Sequence, residues 1–153
     1  MSEPPDVRLR PVEDADVSLF YDHQADPVAA EMAAFPTRDL ATFVARWTTI
    51  RADASIFARA IVADGTVVGH IVCWIEGDTR EVGYWIGRAF WGRGYATRAL
   101  ALLLDEVRDR PLIAHVGADN IGSRRVLEHC GFAVVGEAES ERDSVTEFIL
   151  RLD

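Results

Sequence analysis

Residues 81–107 constrain the fold most, because this stretch joins a strand, a glycine-rich turn and a long helix. Residues 81–86 are rich in β-branched and aromatic side chains, which indicates a strand. From Ala96 to Val107 the apolar residues recur at helical spacing, which predicts a helix with one buried face. The turn between them contains three glycines, Gly87, Gly92 and Gly94. The first N–H groups of a helix have no partner within it, so we expect a phosphorylated ligand at this turn.

Composition limits the class of protein. The chain has 153 residues, 49% of them hydrophobic, which predicts one globular domain covering residues 1–153. The net charge of −9 argues against a nucleic-acid partner, which would need a basic surface. We find no apolar run long enough to span a membrane and no signal-peptide pattern at the N-terminus. Only Cys73 and Cys130 are present, which suits a reducing compartment. These features predict a cytoplasmic protein with no nucleic-acid or membrane partner.

The remaining chain divides into short strands and helices. Strands are predicted at residues 7–10, 55–63, 66–75, 81–86, 112–116, 133–137 and 144–150. Helices are predicted at residues 13–23, 38–50, 96–107 and 121–129, with a further short helix at 28–32. Thr37 and Asn120 are expected to cap the second and the last of the long helices. This order predicts an α/β fold with a mixed, mostly antiparallel sheet flanked by helices.

Two common phosphate-binding patterns can be tested against the glycines. The P-loop needs Lys-Ser/Thr after its second glycine, and Arg93-Gly94 stand there instead. A dinucleotide site needs a third glycine where this chain has Thr97, and an acid at the end of the following strand, which is also missing. Both patterns therefore fail. A glycine turn that binds no ligand stays open on local sequence alone.

Two segments resemble motifs of one enzyme superfamily. The sequence WGRGYAT, from Trp91 to Thr97, resembles the acyl-CoA pyrophosphate loop of the GNAT superfamily of N-acyltransferases, with Trp91 at the Gln or Arg position of that pattern. Asn120 to Phe132 is similar to the Asn-x-x-Ser, Val-Leu-Glu and Gly-Phe segment of the RimJ/RimL-like branch. The segments VRLRPVEDADV and VGYWIG resemble that branch's opening and fourth strand. The resemblance covers nearly the whole chain. It implies the GNAT fold and transfer of an acetyl group from acetyl-CoA to a primary amine.

The same resemblance implies which residues hold the acetyl-CoA. Backbone N–H groups of the loop would cradle the diphosphate, and an N–H near Trp85 or Ile86 would polarise the thioester carbonyl. Asn120 is implied to contact the pantetheine arm and Arg125 the adenosine phosphate, with core packing for Trp85 and a solvated surface for Arg125 as open alternatives. The implied cofactor-binding residues are Trp85, Ile86, Gly92, Arg93, Gly94, Tyr95, Ala96, Thr97, Asn120, Ser123 and Arg125. No metal is expected.

The transfer also needs a base for the amine, since amines of this type are mostly protonated near neutral pH. Glu81 is the candidate, because the family often places an acid at the start of this strand. A solvated glutamate at a strand end is the open alternative. His70 and His115 are weaker candidates, since a lone histidine in an apolar strand is more often a hydrogen-bonded core residue.

The acid for the departing thiolate differs from the common family pattern. Many members carry a tyrosine seven residues after the asparagine, where this chain has Leu127. In the RimJ/RimL-like branch the role falls to Ser123, although its hydroxyl also suits a helix cap. Cys130 has no cationic neighbour in sequence except His129, so a nucleophilic cysteine is not expected.

The acceptor amine stays open among protein N-termini, small-molecule amines and amino acids. Its pocket is expected between the segment His23 to Trp47 and the final hairpin. The acidic residues of 137–143 could attract a cation there, with a solvated loop as the open alternative. A non-catalytic acyl-CoA-binding or sensor domain of the same fold is the alternative function. A homodimer is common in similar proteins.

Overall fold

The chain forms a seven-stranded sheet with helices on both faces, in a computed structural model that describes residues 6–32, 39–139 and 146–153. The strands are β1 Val7–Pro11, β2 Phe57–Ala63, β3 Thr66–Glu76, β4 Thr79–Ile86, β5 Leu112–Gly117, β6 Ala133–Glu139 and β7 Thr146–Leu152. The helices are α1 Asp14–Ala25, α2 Pro27–Met32, α3 Leu40–Ala52, α4 Tyr95–Glu106 and α5 Ile121–His129, and a single 3-10 turn covers Arg88–Phe90.

The predicted strands and helices are found in the predicted order, with ends that differ by a residue or two. The predicted cap Thr37 lies outside the described residues, as do residues 140–143 of the acidic run and residues 144–145 of the last predicted strand. Helix α3 instead begins after Asp39, whose carboxylate accepts the N–H of Thr42 at 2.7 Å. Asn120 caps α5 as predicted, and its Oδ1 accepts the N–H of Ser123 at 3.2 Å.

The strand order is β1-β2-β3-β4-β5-β7-β6, and every neighbouring pair is antiparallel except β4 and β5. This confirms the predicted mixed, mostly antiparallel sheet. The parallel pair is short, with only Arg80 opposite Leu112 and Glu81 opposite Ile113. Beyond these residues the two strands no longer pair. Residues 82–86 of β4 therefore border a gap in the middle of the sheet, where a ligand could meet backbone groups.

Alternation along the strands gives each face its own hydrophobic core. On one face Val82 and Ile86 belong to the cluster that also contains Leu100 and Leu103 of α4. On the other face the core is built around Phe20 of α1, with α3 packed beside it. A ligand in the gap between β4 and β5 could thus contact groups on both faces of the sheet.

Among the helices that the structure describes, none is both long enough and apolar enough to cross a membrane.

Candidate functional site

A cavity of about 540 Å³ opens beside the end of β4, the loop after it and the start of α5. This volume is in the range of small-molecule sites. The predicted cofactor-binding residues that line it are Trp85, Ile86, Gly92, Arg93, Gly94, Tyr95, Ala96, Thr97, Asn120 and Ser123. Arg125 is exposed on α5 and is not part of this wall. The fold therefore brings together two motifs that lie far apart in the sequence.

The loop before α4 has the backbone geometry of an anion cradle. Gly92 and Gly94 have φ of 76° and 78°, a left-handed conformation that favours glycine. A Cβ added at either position would meet no other atom within 4 Å, so the space above them is open. The first helical bond of α4 runs from the Arg98 N–H to the Gly94 carbonyl at 3.1 Å. The preceding N–H groups of the first turn therefore have no helical partner and can meet phosphate oxygens.

The indole of Trp91 fixes this loop to the sheet, because its Nε1–H donates to the Ile86 carbonyl oxygen at 2.8 Å. The peptide groups of β4 can be oriented from the register with β3. The N–H of Gly87 donates to the Val68 carbonyl, and bonded pairs alternate along antiparallel strands. This alternation directs the peptide groups of Trp85 at β3 and those of Ile86 toward the gap. Of the two backbone donors considered from the sequence, Ile86 is the one that faces the cavity.

Ser123 and Tyr84 form a pair of hydroxyls on the cavity wall. Tyr84 lies on β4, and its Oη is 2.8 Å from Ser123 Oγ and 3.1 Å from the Ser123 carbonyl oxygen. Burial raises the pKa of Tyr84 to about 12, against the opposing effect of the Ser123 hydrogen bond. The phenol therefore keeps its proton at neutral pH and remains a hydrogen-bond donor.

Glu81 is part of a cluster of two carboxylates around one imidazole. His115 Nε2 lies 2.8 Å from Glu81 Oε1, and its Nδ1 lies 3.3 Å from Glu147 Oε2. Burial raises the pKa of Glu81, while the neighbouring His115 acts in the opposite direction. The side chain of Glu81 is 14% exposed and that of His115 is 41% exposed. Glu81 is thus reached from solvent mainly by way of His115.

A second cavity of about 500 Å³ lies on the face of the sheet covered by α3. His115 and Glu147 line it, together with aromatic side chains of α3 and the sheet. Four residues line both cavities: Tyr84, Trp85, Asn120 and Ser123. The two cavities therefore meet at the hydroxyl pair, and a group held in one can face a group held in the other.

The two remaining candidates from the sequence, His70 and Cys130, lie in surroundings that do not suit a catalytic role. His70 is buried against Phe20 and Trp47, with ring centroids 4.7 Å and 5.0 Å away, and burial lowers its pKa to about 3. It is an uncharged core histidine at neutral pH, but its Nδ1 has no hydrogen-bond partner among the described residues, unlike the hydrogen-bonded histidine of the alternative interpretation. Burial raises the pKa of the Cys130 thiol, which lies 3.7 Å from the Thr97 carbonyl oxygen. A cysteine in this state is a poor nucleophile.

Sequence reasoning missed Tyr84 and Glu147 as site residues. Tyr84 appeared only as a strand residue, yet a phenol on a buried strand face needs a partner, and that requirement is a usable signal. Glu147 gave no signal, because it meets His115 only through the pairing of β7 with β5. Leu127, at the position of the family's common tyrosine, is 2% exposed and belongs to the core.

Comparisons with known proteins agree with this geometry. The sequence profile of the acetyltransferase (GNAT) domain matches residues 6–133. The search of curated protein sequences found no significant match. Among solved structures, an acetyltransferase (GNAT family) from Bacillus anthracis superposes with a TM-score of 0.81 at 18% identity, over 95% of this chain and 93% of that chain.

Two further structures have cofactor in their crystals. RimJ from Mycobacterium smegmatis, in complex with CoA-disulfide, has a TM-score of 0.76 at 25% identity, over 95% of this chain and 81% of that chain. Spermidine N-acetyltransferase from Vibrio cholerae, in complex with CoA and spermine, has a TM-score of 0.81 at 15% identity, over 95% of this chain and 94% of that chain. The matched residues 6–133 are most of the chain and include the glycine loop and the strands β4 and β5 on either side of the gap. This chain therefore belongs to the GNAT family of acetyltransferases.

Proposed function

We propose that the protein transfers an acetyl group from acetyl-CoA to a primary amine, by direct attack within a ternary complex. The observation that carries the proposal is the meeting of two cavities at Tyr84 and Ser123. One contains the glycine cradle, and the other is lined by His115 and Glu147, with Glu81 bonded to His115 behind them. A donor and an acceptor could therefore be bound together with their reacting ends at this junction.

The first cavity suits acetyl-CoA in size and in chemistry. Unpartnered N–H groups at the start of α4, with Gly92 and Gly94 leaving open space above them, would hold the diphosphate. The pantetheine arm would lie along the gap beside β4, where Asn120 and the backbone of Ile86 face it. We also propose Arg125, exposed on α5, as a contact for the adenosine phosphate. Acetyl-CoA supplies the acetyl group as a reactive thioester.

The acidic cluster would accept the proton of the amine. A primary ammonium must lose a proton before its nitrogen can attack, and Glu81 with His115 provides the acceptor at the edge of the second cavity. As the nitrogen forms its bond to the acetyl carbon, the N–H of Ile86 stabilises the negative charge on the carbonyl oxygen. Glu81 thus keeps the catalytic role expected from the sequence, with His115 between its carboxylate and the cavity.

Ser123 would donate a hydrogen bond to the sulfur as the carbon–sulfur bond breaks. Tyr84 Oη lies 2.8 Å from Ser123 Oγ, and with Tyr84 as the donor of that hydrogen bond the serine proton can point at the leaving group. As the adduct collapses, the nitrogen loses its second proton and the CoA sulfur gains one by way of Ser123, so that the products are the N-acetylated amine and the CoA thiol. No bond to the protein is formed at any step, which is consistent with the raised pKa of the half-buried Cys130 thiol.

Three finer assignments belong to the same proposal. The RimJ/RimL-like branch is supported by the Asn120 to Phe132 segment and by the 25% identity to the RimJ of Mycobacterium smegmatis. A cytoplasmic location is supported by Cys73 and Cys130, which are both free thiols. We propose a homodimer from the resemblance alone.

Thermal unfolding and thiol release together test the proposed function. Acetyl-CoA should raise the melting temperature, because it binds the folded state only. Added primary amines should then release free CoA. Stabilisation without release by any amine would favour the non-catalytic acyl-CoA-binding domain. If acetyl-CoA gave no stabilisation, the assignment of the first cavity would be wrong.

A further inference from the structure

The second cavity has features that restrict the acceptor, and the following inference rests on the proposed function. Its floor is the face of the sheet that carries Trp74, Gly83 and Gly117. A Cβ added at Gly83 would lie 3.5 Å from the indole of Trp74, so that ring lies across the glycine. A Cβ at Gly117 would meet nothing within 4 Å. Gly117 thus leaves open space on the strand that carries His115, whereas the indole of Trp74 covers Gly83.

Aromatic rings form much of the wall around this space. Phe43 and Trp47 reach it from α3, and Trp74 and Trp85 reach it from the sheet. Phe43 and Trp47 are each 3% exposed and are therefore fixed by the core behind them. Rigid aromatic walls favour a flat apolar group, because rings stack with one another and because burial removes apolar surface from water.

Charge is distributed unequally along the cavity. His115 and Glu147, with Glu81 behind them, form a carboxylate-rich end beside the junction with the first cavity. The other lining carboxylate, Asp53, accepts the N–H and the hydroxyl of Ser55 at 2.9 Å and 2.6 Å. Arg46 also lines the cavity, and it forms no ion pair with any residue in the described ranges. The cavity therefore carries the exposed guanidinium of Arg46 besides its carboxylates.

We propose that the acceptor is an arylalkylamine: a primary amine with a single positive charge, joined by a short linker to a flat aromatic group. The ammonium would lie at the carboxylate end, next to the acetyl group, and the ring would pack against the half-buried indole of Trp74. A polyamine lacks the flat apolar group that the aromatic wall would bury. The volume of about 500 Å³ suits a molecule of this size.

Steady-state kinetics with matched amines tests the proposal. We expect kcat/KM for 2-phenylethylamine to exceed that for n-propylamine and that for spermidine by roughly tenfold or more. The inference is overturned if spermidine or n-propylamine equals or exceeds 2-phenylethylamine. In that case CoA release with the preferred amine would leave the proposed function intact. If no amine released CoA, both the inference and the proposed function would fail.

Two variants locate the ring within the cavity. Trp74→Ala should reduce the ratio of kcat/KM between 2-phenylethylamine and n-propylamine from about tenfold to about twofold. Gly117→Val should fill the open floor and lower kcat/KM for 2-phenylethylamine by roughly tenfold. Gly136→Val is the matched control, because a Cβ at Gly136 in β6 also meets nothing and lies outside both cavities. An unchanged ratio in Trp74→Ala, with acetyl-CoA stabilisation retained, would contradict the proposal, as would equal effects of the two glycine substitutions.

Discussion

Tyr84 and Ser123 carry much of the chemistry that we assign at the scale of single residues. Their hydroxyl oxygens are 2.8 Å apart at the junction of the two cavities. The family's common tyrosine position holds Leu127, which is buried in the core. A phenol from β4 therefore stands beside the serine, in a site where the common phenol of the helix is missing. We therefore expect that turnover needs both hydroxyls.

Tyr84→Phe should lower kcat by about tenfold to a hundredfold while the Kd for acetyl-CoA stays within about twofold. The phenyl ring still packs against the core, and only the hydroxyl that orients Ser123 is lost. Stopped-time assays of CoA release and a binding titration measure the two quantities. Tyr21→Phe removes a hydroxyl outside both cavities and is the control.

A double-mutant cycle separates a joint role from a packing effect. If Tyr84 acts through Ser123, the double variant Tyr84→Phe/Ser123→Ala should be no slower than Ser123→Ala alone. Additive losses in kcat would show that the two hydroxyls act independently and would contradict the proposed pair.

Glu81→Gln should lower kcat/KM by about a hundredfold at neutral pH, because the amide cannot accept the amine proton. Burial raises the pKa of Glu81, so wild-type activity should fall with decreasing pH at a point above the ordinary carboxylate range. The pH profile of kcat/KM should lose this limb in the variant. A Glu81→Gln enzyme with the wild-type profile would remove Glu81 from the proton transfer.

At the scale of secondary-structure elements, the loop before α4 and the gap beside β4 create the donor site. The loop is positioned by the Trp91 indole, which donates to the Ile86 carbonyl oxygen. The gap arises because β4 and β5 pair only at their first residues. The loop and the gap are both arrangements of the backbone. We therefore expect binding of the donor to depend more on the backbone conformations that the glycines permit than on the side chains of the loop.

Gly94→Val should weaken acetyl-CoA binding by a hundredfold or more, because φ of 78° is unfavourable for a β-branched residue and its side chain would enter the cradle. Isothermal titration measures the change. Gly65→Val is the matched control, since Gly65 has φ of 83° in the β2–β3 turn with open space around it. Both variants should lose about 1–2 kcal/mol of stability, and only Gly94→Val should lose binding. An unchanged affinity in Gly94→Val would sink the cradle assignment.

The elements could be predicted from the sequence where the signal is local. Helix α5 follows from Asn120 as a cap and Gly131 as its end, and the cradle follows from glycines before an amphipathic helix. Contacts between distant strands could not be predicted in this way. The distance of 3.3 Å between His115 Nδ1 and Glu147 Oε2 depends on the pairing of β5 with β7. The contact between the hydroxyls of Tyr84 and Ser123 joins strand β4 to helix α5. No periodicity within one segment encodes such a register.

At the scale of the whole molecule, two cores share one sheet, and the α3-side core contains a histidine. His70 is 6% exposed, and its Nδ1 has no hydrogen-bond partner within the described structure. Its ring packs against Phe20 and Trp47, so it acts as an aromatic core residue. Burial lowers its pKa to about 3, with a smaller effect from His23. Keeping this imidazole neutral makes folding stability depend on pH.

The sign of that dependence follows from proton binding. Below the ordinary histidine pKa of 6.5 the unfolded chain takes up a proton at His70, whereas the folded chain does so only near pH 3. Acidification through this window therefore favours the unfolded state. In urea unfolding, wild type should lose about 2 kcal/mol more than His70→Leu between pH 7 and pH 5. Equal losses in the two proteins would show that His70 is not buried in its neutral form.

The most direct test of the central claim is two-substrate initial-rate kinetics with identification of the product. Acetyl-CoA and 2-phenylethylamine would be varied together, with n-propylamine and spermidine as further acceptors, while CoA release and the acetylated amine are quantified. We predict one N-acetylated amine for each CoA released, no release without amine, and intersecting lines in the double-reciprocal plot. Acetyl-CoA binding without amine-dependent release, or parallel lines with an acetylated protein, would contradict direct transfer in a ternary complex.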